Sequence, residues 1–212
     1  MRYQAVIFDL DGVLCHTDHY HYLAWKKVAN ELNVYFDEKI NNRLRGISRM
    51  ESLEIVLELY PKQLSEVEKN HYAQMKNDYY LELLQSMSPE TVTEDVTNTL
   101  NEIKNKDTIM AIGSSSKNAK FILKRIGLID YFAAISDGNN IIHSKPHPEV
   151  FLKASEYIGV KPNNCLVVED ASAGIEAAIS AKMDCAAIGD GKSNLSATYK
   201  LNCLSELLEI LY

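Results

Sequence analysis

Two aspartates two residues apart, Asp9 and Asp11, stand directly after the apolar run Ala5 to Phe8. Three further sets of polar residues follow apolar runs in the same way. Ser114, Ser115, Ser116, Lys117 and Asn118 come after Thr108 to Ile112, Asp137 and then Lys145-Pro146 after Phe132 to Ile135, and Glu169-Asp170 after Cys165 to Val168. Singly, an Asp after a strand is an ordinary turn or helix-capping residue. Brought to one place, these groups have a specific chemistry. Clustered carboxylates repel one another and ionise together only around a cation, and three carboxylates with carbonyl and water oxygens suit Mg²⁺. Ser114 and Lys145 offer a hydroxyl and a positive charge to phosphoryl oxygens, and Ser114 to Lys117 lead into a helix whose first N–H groups point at an anion. A metal beside an anion-binding corner indicates phosphoryl transfer. With one carboxylate as nucleophile and a second, two residues on, as acid and base, the reaction passes through an aspartyl phosphate.

The elements that must position these residues are legible too. The four runs, with Cys185 to Ile188 as a fifth, lack clean alternation, as strands covered on both faces do. The segments Lys117 to Leu128, Pro148 to Ile158 and Ser172 to Met183 have helix length, and Ile175, Ala178 and Ile179 fall on one helical face. Alternating strands and helices predict an α/β fold with a doubly wound, mostly parallel, Rossmann-like sheet, in which ligands bind beyond the carboxyl ends of the strands. The gap of about a hundred residues between the first two runs far exceeds the 2–6 residues of an ordinary βα connection, so it must fold on its own. Trp25, Val28, Ala29 and Leu32 keep helical spacing within it, as do Leu53, Val56, Leu57 and Tyr60, and Tyr72, Met75, Tyr79 and Leu83. The expected organisation is a core of residues 1–16 and 85–212 with an all-helical insertion over 17–84, flanked by linkers at Gly12 to His16 and at Ser86 to Glu90.

Composition sets the outer limits. The 212 residues are 46% hydrophobic and 24% charged, with 22 Lys and Arg against 29 Asp and Glu, a formal net charge of −7. That balance argues against a nucleic-acid or anionic-membrane surface, which needs clustered cations. The insertion, with nine basic and eleven acidic residues, is no anion trap by bulk charge either. No run approaches the roughly 18 apolar residues of a membrane span, and the N-terminal apolar stretch is too brief for a signal-peptide core, so the cytoplasm is the expected location. Cys15, Cys165, Cys185 and Cys203 lack C-x-x-C spacing and are expected to be free thiols. Two other signals fail. His19 and His21 are two apart and would not share a helical face, so they form no metal site with His16. Gly191-Lys192-Ser193 resembles the end of a phosphate-binding loop, but Ala186 stands where that loop needs its leading Gly.

Phe8-Asp9-Leu10-Asp11-Gly12-Val13, Ser114 after a strand, Lys145-Pro146 and Glu169-Asp170 resemble, in order, the four signature motifs of the haloacid dehalogenase-like superfamily. The runs His16 to His21 through Trp25, Leu44 to Arg49, Lys76-Asn77-Asp78 and Ser114 to Asn118 resemble the β-phosphoglucomutase subfamily, and the likeness spans nearly the whole chain, weakening beyond about Gly189. That resemblance implies that Asp9 becomes phosphorylated and that Asp11 is the general acid and base. It implies Mg²⁺ held by Asp9, the Asp11 carbonyl and Asp170 with Glu169 close by, and a phosphoryl group gripped by Ser114 and Lys145. The insertion would be a cap that closes over the sheet edge. Arg49 would hold the second, non-transferring phosphate with Ser116, Lys117 and Asn118, and His21 and Lys76 would couple closure to Asp11. Thr17, Trp25, Arg45, Gly46, Ser52 and Ser115 would complete the substrate-binding set. The alternatives are a solvated surface position for Lys145, a core-facing one for His21 and a purely structural one for Lys76.

The implied reaction interconverts β-glucose 1-phosphate and glucose 6-phosphate through phospho-Asp9, with glucose 1,6-bisphosphate as intermediate and activator. A sugar-phosphate phosphatase on the same core and a non-catalytic sugar-phosphate sensor are the other readings. The expected partner is a small phosphorylated sugar, with no nucleic acid or membrane, and the chain is expected to be a monomer. Three departures from the resemblance stand out: Arg45 where relatives commonly have Lys, His16 in place of an acidic residue, and Ala171 in place of a frequent Ser.

Overall fold

The computed structural model describes residues 2–212. Its strands are β1 (Ala5–Phe8), β2 (Ile109–Gly113), β3 (Ala134–Ser136), β4 (Cys165–Glu169), β5 (Asp184–Ala187) and β6 (Tyr199–Lys200). They form one parallel sheet in the order β3-β2-β1-β4-β5-β6. Its helices are α1 (Asp18–Glu31), α2 (Glu38–Asn42), α3 (Arg49–Val56), α4 (Glu66–Leu84), α5 (Glu94–Asn105), α6 (Ala119–Arg125), α7 (Glu149–Tyr157), α8 (Ser172–Ser180) and α9 (Leu207–Leu211). The chain leaves β1 toward β2 and β3 and returns on its other side through β4, β5 and β6, so the topological switch point lies beside β1, where a ligand crevice is expected. Phe8 is in register with Ile112 and with Val168, which brings Asp9, Gly113 and Glu169 level at the carboxyl edge.

The strands are continuously apolar because both faces are covered. Val6, Phe8, Ile112, Leu166 and Val168 pack on one side with Leu100 and Ile103 of α5, Ile122 of α6 and Leu207 of α9. Ile7, Ala111, Val167 and Cys185 pack on the other with Phe151 of α7 and Ile175 of α8. Helices α1 to α4 surround a third cluster that includes Trp25, Val28, Phe36, Leu53, Val56 and Ala73. Ser48 and Ser65 open α3 and α4 with capping boxes completed by Glu51 and Glu68, the S-x-x-E pattern that satisfies the first free N–H groups of a helix.

The structure corrects several sequence expectations. Strand β3 begins at Ala134, and Phe132 packs edge-on to Phe8 with ring centroids 6.1 Å apart. Helix α6 starts at Ala119, two residues later than expected. Ile179 is 43% exposed, whereas Ile175 and Ala178 are fully buried. On α4 the buried line is Ala73, Lys76, Tyr80 and Leu84, one residue after the expected one, and Tyr72, Met75, Tyr79 and Leu83 are only partly buried. Strand β6 and helix α5 were not anticipated. All four cysteines are free thiols. Among the described residues no helix is long and apolar enough to cross a membrane.

Candidate active site

Asp9 leaves the end of β1 with its backbone N–H bonded to the Val168 carbonyl, 2.9 Å. A tight turn follows. The N–H groups of Leu14 and Cys15 return to the Leu10 carbonyl, and that of Gly12 to the Cys15 carbonyl at 2.7 Å. Gly12 has φ +88°, and a Cβ there would lie 1.9 Å from Asp170 Oδ2, so both backbone conformation and close approach demand glycine. The turn sets the Asp11 carboxylate against Thr17, whose hydroxyl donates to Asp11 Oδ1.

Lys145 is 1% exposed, which removes the surface-lysine alternative. Its ammonium donates to Asp9 Oδ1 at 2.5 Å and to Glu169 Oε2 at 2.8 Å. The other Glu169 oxygen accepts from the backbone N–H groups of Asp170 and Ala171 at 3.0 and 3.1 Å. Burial pulls the Lys145 pKa down, but the Asp9 and Glu169 charges more than offset it, so the group stays an ammonium. Asp9, Glu169 and Asp170 are all buried and have carboxylate oxygens within 4.8 Å of one another. Burial and the Glu169 charge push Asp9 up to about 8 against the pull of Lys145. Burial, Glu169 and Asp9 push Asp170 up to about 9. Three buried carboxylates gathered this closely are a donor set suited to a hard dication, and they fit Mg²⁺. Asp11, raised to about 6 by burial despite the Thr17 hydrogen bond, holds both protonation states near neutral pH.

Arg45 lies beside this cluster. Its Nη2 donates to Asp170 Oδ2 and stands 3.4 Å from Asp18 Oδ2, and its Nη1 donates to Asp190 Oδ2 at 2.6 Å. The guanidinium is thus engaged by acids from both the insertion and the sheet edge. Gly46 follows with φ +78°, against Ala171 and Ala173.

A cavity of about 530 Å³ opens from the acidic cluster, within the range of small-molecule sites. Its walls include Asp9, Asp11, Ser114, Glu169 and Asp170 at the sheet edge, and His21, Trp25, Arg45, Gly46, Arg49, Ser52 and Lys76 from the helical segment. Ser115, Ser116, Lys117 and Asn118 line it as well. Thr17 and Lys145 do not. They stand behind Asp11 and Asp9 and reach the cavity only through them.

Away from the acids, Arg49 Nη2 donates to Asn77 Oδ1 at 2.7 Å, and Asn118 Nδ2 donates to the same oxygen at 2.9 Å. Ser114 Oγ accepts from the Ser116 N–H, and Ser116 Oγ from the Asn118 N–H, each at 3.2 Å. His21 Nδ1 lies 2.9 Å from the Lys76 ammonium, and both side chains pack on Tyr80, with ring centroids 4.2 Å apart for His21 and the ammonium 4.1 Å from the ring centre. Burial, then the Lys76 and Arg49 charges, hold the His21 pKa well below its ordinary value. Where Nδ1 accepts from the Lys76 ammonium, the neutral imidazole carries its proton on Nε2. His16 and His19 are exposed and do not join it.

Sequence reasoning missed Asp18, Asn41, Asn70, Gln74 and Ser144, which also line the cavity. Asp18 adjoins Thr17 and was within reach of the motif. Asn41 and Ser144 carry no such signal, because the first sits within a short helix and the second is held across the cleft by Glu51. Asp137 is fully buried and caps its own turn, with Oδ1 accepting from the Asn139 N–H at 2.9 Å.

Comparison with known proteins agrees with this geometry. Residues 3–182 match the family model of haloacid dehalogenase-like hydrolases. The chain is 40% identical to a β-phosphoglucomutase of Bacillus subtilis, over 99% of this chain and 94% of that protein. It is 31% identical to a phosphorylated carbohydrates phosphatase of Thermotoga maritima, over 92% and 91%. The crystal structure of a β-phosphoglucomutase from Clostridium difficile superposes with a TM-score of 0.93 at 38% identity, covering 99% of this chain and 95% of that one. The chain belongs to the haloacid dehalogenase-like hydrolase family.

Proposed function

We propose that the protein is a Mg²⁺-dependent mutase that interconverts β-D-glucose 1-phosphate and D-glucose 6-phosphate. The observation that carries this reading is the two-ended cavity. Asp9 and Asp11 line one part of it, with Lys145 behind Asp9; Arg49 with Ser116, Lys117 and Asn118 line it too and would take a second phosphate, which a monophosphatase does not need. The similarity to β-phosphoglucomutases of Bacillus subtilis and Clostridium difficile supports it.

In one half-reaction the free 6-hydroxyl of β-glucose 1-phosphate gives its proton to Asp11 and attacks phospho-Asp9, breaking the bond from phosphorus to the Asp9 oxygen and giving the bisphosphate. In the other, an Asp9 oxygen bonds to the phosphorus at C1 of the bisphosphate while the bond from that phosphorus to the sugar oxygen breaks, and Asp11 gives its proton to that leaving oxygen, releasing glucose 6-phosphate. Lys145 and Ser114 hold the phosphoryl oxygens throughout. Asp9, the Asp11 carbonyl and Asp170, with Glu169 alongside, would hold Mg²⁺, which when bound would neutralise charge on the transferring group. Arg49, a planar fork matched to phosphate, holds the opposite end, and glucose 1,6-bisphosphate turns over between the two ends and serves as activator. Residues 17–84 act as a cap on a core of 1–16 and 85–212, with His21 and Lys76 reporting closure to Asp11 and excluding water with Trp25 and Ser52. The protein works as a cytoplasmic monomer on a small phosphorylated sugar, without nucleic acid or membrane.

A sugar-phosphate phosphatase is the second reading, favoured by the likeness to the Thermotoga maritima phosphatase. The two differ in what attacks phospho-Asp9, a sugar hydroxyl or water. A coupled assay with β-glucose 1-phosphate, Mg²⁺ and catalytic bisphosphate separates them. Glucose 6-phosphate formation is expected; inorganic phosphate in proportion to substrate, without glucose 6-phosphate, sinks the mutase.

A further inference from the structure

Asn77 belongs to α4, one residue after the buried Lys76, and does not line the cavity. Its amide oxygen nevertheless takes two donors, Arg49 Nη2 at 2.7 Å and Asn118 Nδ2 at 2.9 Å. The first belongs to α3 of the inserted helices and the second precedes α6 at the sheet edge. Asn118 occupies the N-cap position of α6, where an Asn side chain ordinarily accepts from the helix, yet it makes no capping bond and turns to Asn77 instead. One carbonyl oxygen with two lone pairs is thereby filled by one donor from each side of the cleft.

Charge explains why the acceptor is an amide. The Arg45 guanidinium is engaged by Asp170, Asp18 and Asp190. Arg49 meets a neutral oxygen, which fixes one of its five N–H donors without an ion pair and, with the Asp78 charge acting on it only through space, leaves its fork open to an anion.

We propose that Asn77 is a positioning residue for the second-phosphate end. It ties Arg49 to Asn118, sets the aim of the guanidinium and, being neutral, preserves its charge. This rests on the two-ended reading of the cavity given above. Two substitutions separate the two roles: Asn77→Ala removes the acceptor, and Asn77→Asp keeps it but adds a charge that competes with phosphate.

The test compares the parent protein with both variants, using glucose 1,6-bisphosphate as one phosphoryl donor and acetyl phosphate, a donor without a second phosphate, as the other. Both variants should raise KM for the bisphosphate about tenfold, equivalent to about 1.4 kcal/mol, while kcat stays within about threefold and the rate of Asp9 phosphorylation by acetyl phosphate matches the parent. An unchanged bisphosphate KM in both variants overturns the inference. So does an equal loss with both donors, which would mark Asn77 as a general support of the fold. Failure of the mutase reading is seen separately, with Asn77 intact: an Asp9→Asn protein that binds the bisphosphate no better than glucose 6-phosphate has no second-phosphate end. If that end is present and adding Asn77→Ala to Asp9→Asn leaves the bisphosphate Kd unchanged, the role of Asn77 alone is refuted.

Discussion

Replacing Lys145 by methionine keeps most of the side-chain volume and deletes the one ammonium shared by Asp9 and Glu169. Its two contacts, at 2.5 and 2.8 Å, lie among residues no more than 6% exposed, so its removal leaves two carboxylates in a largely desolvated site. At an effective dielectric of about 20, one unit pair about 3 Å apart is worth about 5 kcal/mol before desolvation. Two such contacts, less several kcal/mol for burying the ammonium, place the net loss at the upper end of the roughly 3–5 kcal/mol seen when one partner of a buried pair is removed. For a chain of this length each kcal/mol moves Tm by about 2–4 °C, so a fall of about 10–20 °C is expected. Thermal unfolding by far-UV circular dichroism in chelator gives the value directly. Adding Glu169→Gln should then recover part of the loss, because it removes one of the two stranded charges and the sites are coupled. A Tm within about 2 °C of the parent, or a double variant less stable than Lys145→Met alone, would refute the reasoning. Turnover of Lys145→Met should fall by about 10²–10³, the scale of losing one preorganised charge from a phosphoryl-transfer site.

Other perturbations follow from the same geometry. A Cβ at Gly174 would lie 1.8 Å from Glu169 Oε2, so Gly174→Ala displaces the carboxylate from Lys145. Mg²⁺ affinity by calorimetry should drop at least about tenfold, about 1.4 kcal/mol, and an unchanged value would contradict the assignment of Glu169 to the ion site. Arg45→Met removes a positive charge bonded to Asp170 and should tighten Mg²⁺ binding about tenfold, since a guanidinium one carboxylate away repels the dication by at least about 1 kcal/mol; weaker binding would show that Arg45 instead holds Asp170 in place for the metal. Burial, then the Arg49 charge, holds Lys76 down at about 7 against 10.5 in the unfolded chain, while Asp11, His21 Nδ1 and the Tyr80 and Trp25 faces favour its charged form. Between those values the unfolded state binds one more proton than the folded state, so parent stability rises with pH relative to Lys76→Met, and below about 7 the full cost of burying the charge is present. Urea midpoints at about pH 6 and about pH 9 should show any advantage of Lys76→Met shrinking as pH rises, and a gap that is constant or widens rules the depressed pKa out.

The parallel sheet was legible because its inner strands are buried on both faces, which writes them as apolar runs with polar residues at their carboxyl ends. That spacing also exposed Asp9, Asp11, Ser114, Lys145, Glu169 and Asp170. Strand β6 was not legible: it is two residues, Tyr199 half-buried and Lys200 exposed, and leaves no run to read. On α4 the periodicity pointed one residue early because a lysine, Lys76, occupies the buried line between Ala73 and Tyr80 and interrupts its apolar pattern. Contacts that cross the cleft, Arg45 to Asp170 and Asp190 and Asn77 to Asn118, join residues 41 to 145 positions apart and leave no local signal. Asn41 is hidden for a simpler reason: an asparagine in a five-residue helix looks like solvent-facing filler, yet it is 7% exposed and lines the cavity.

The central claim is that Asp9 takes the phosphoryl group from one end of the sugar bisphosphate and passes it to the free hydroxyl of a sugar monophosphate. The most direct measurement is the mass of the peptide containing Asp9 after acid quench of the protein turning over β-glucose 1-phosphate with Mg²⁺ and catalytic bisphosphate, with glucose 6-phosphate followed in the same samples. The account requires one phosphoryl group on that peptide during turnover, located at Asp9, and neither the modification nor glucose 6-phosphate in Asp9→Asn. Glucose 6-phosphate accumulating while Asp9 stays unmodified, or forming undiminished in Asp9→Asn, would contradict it.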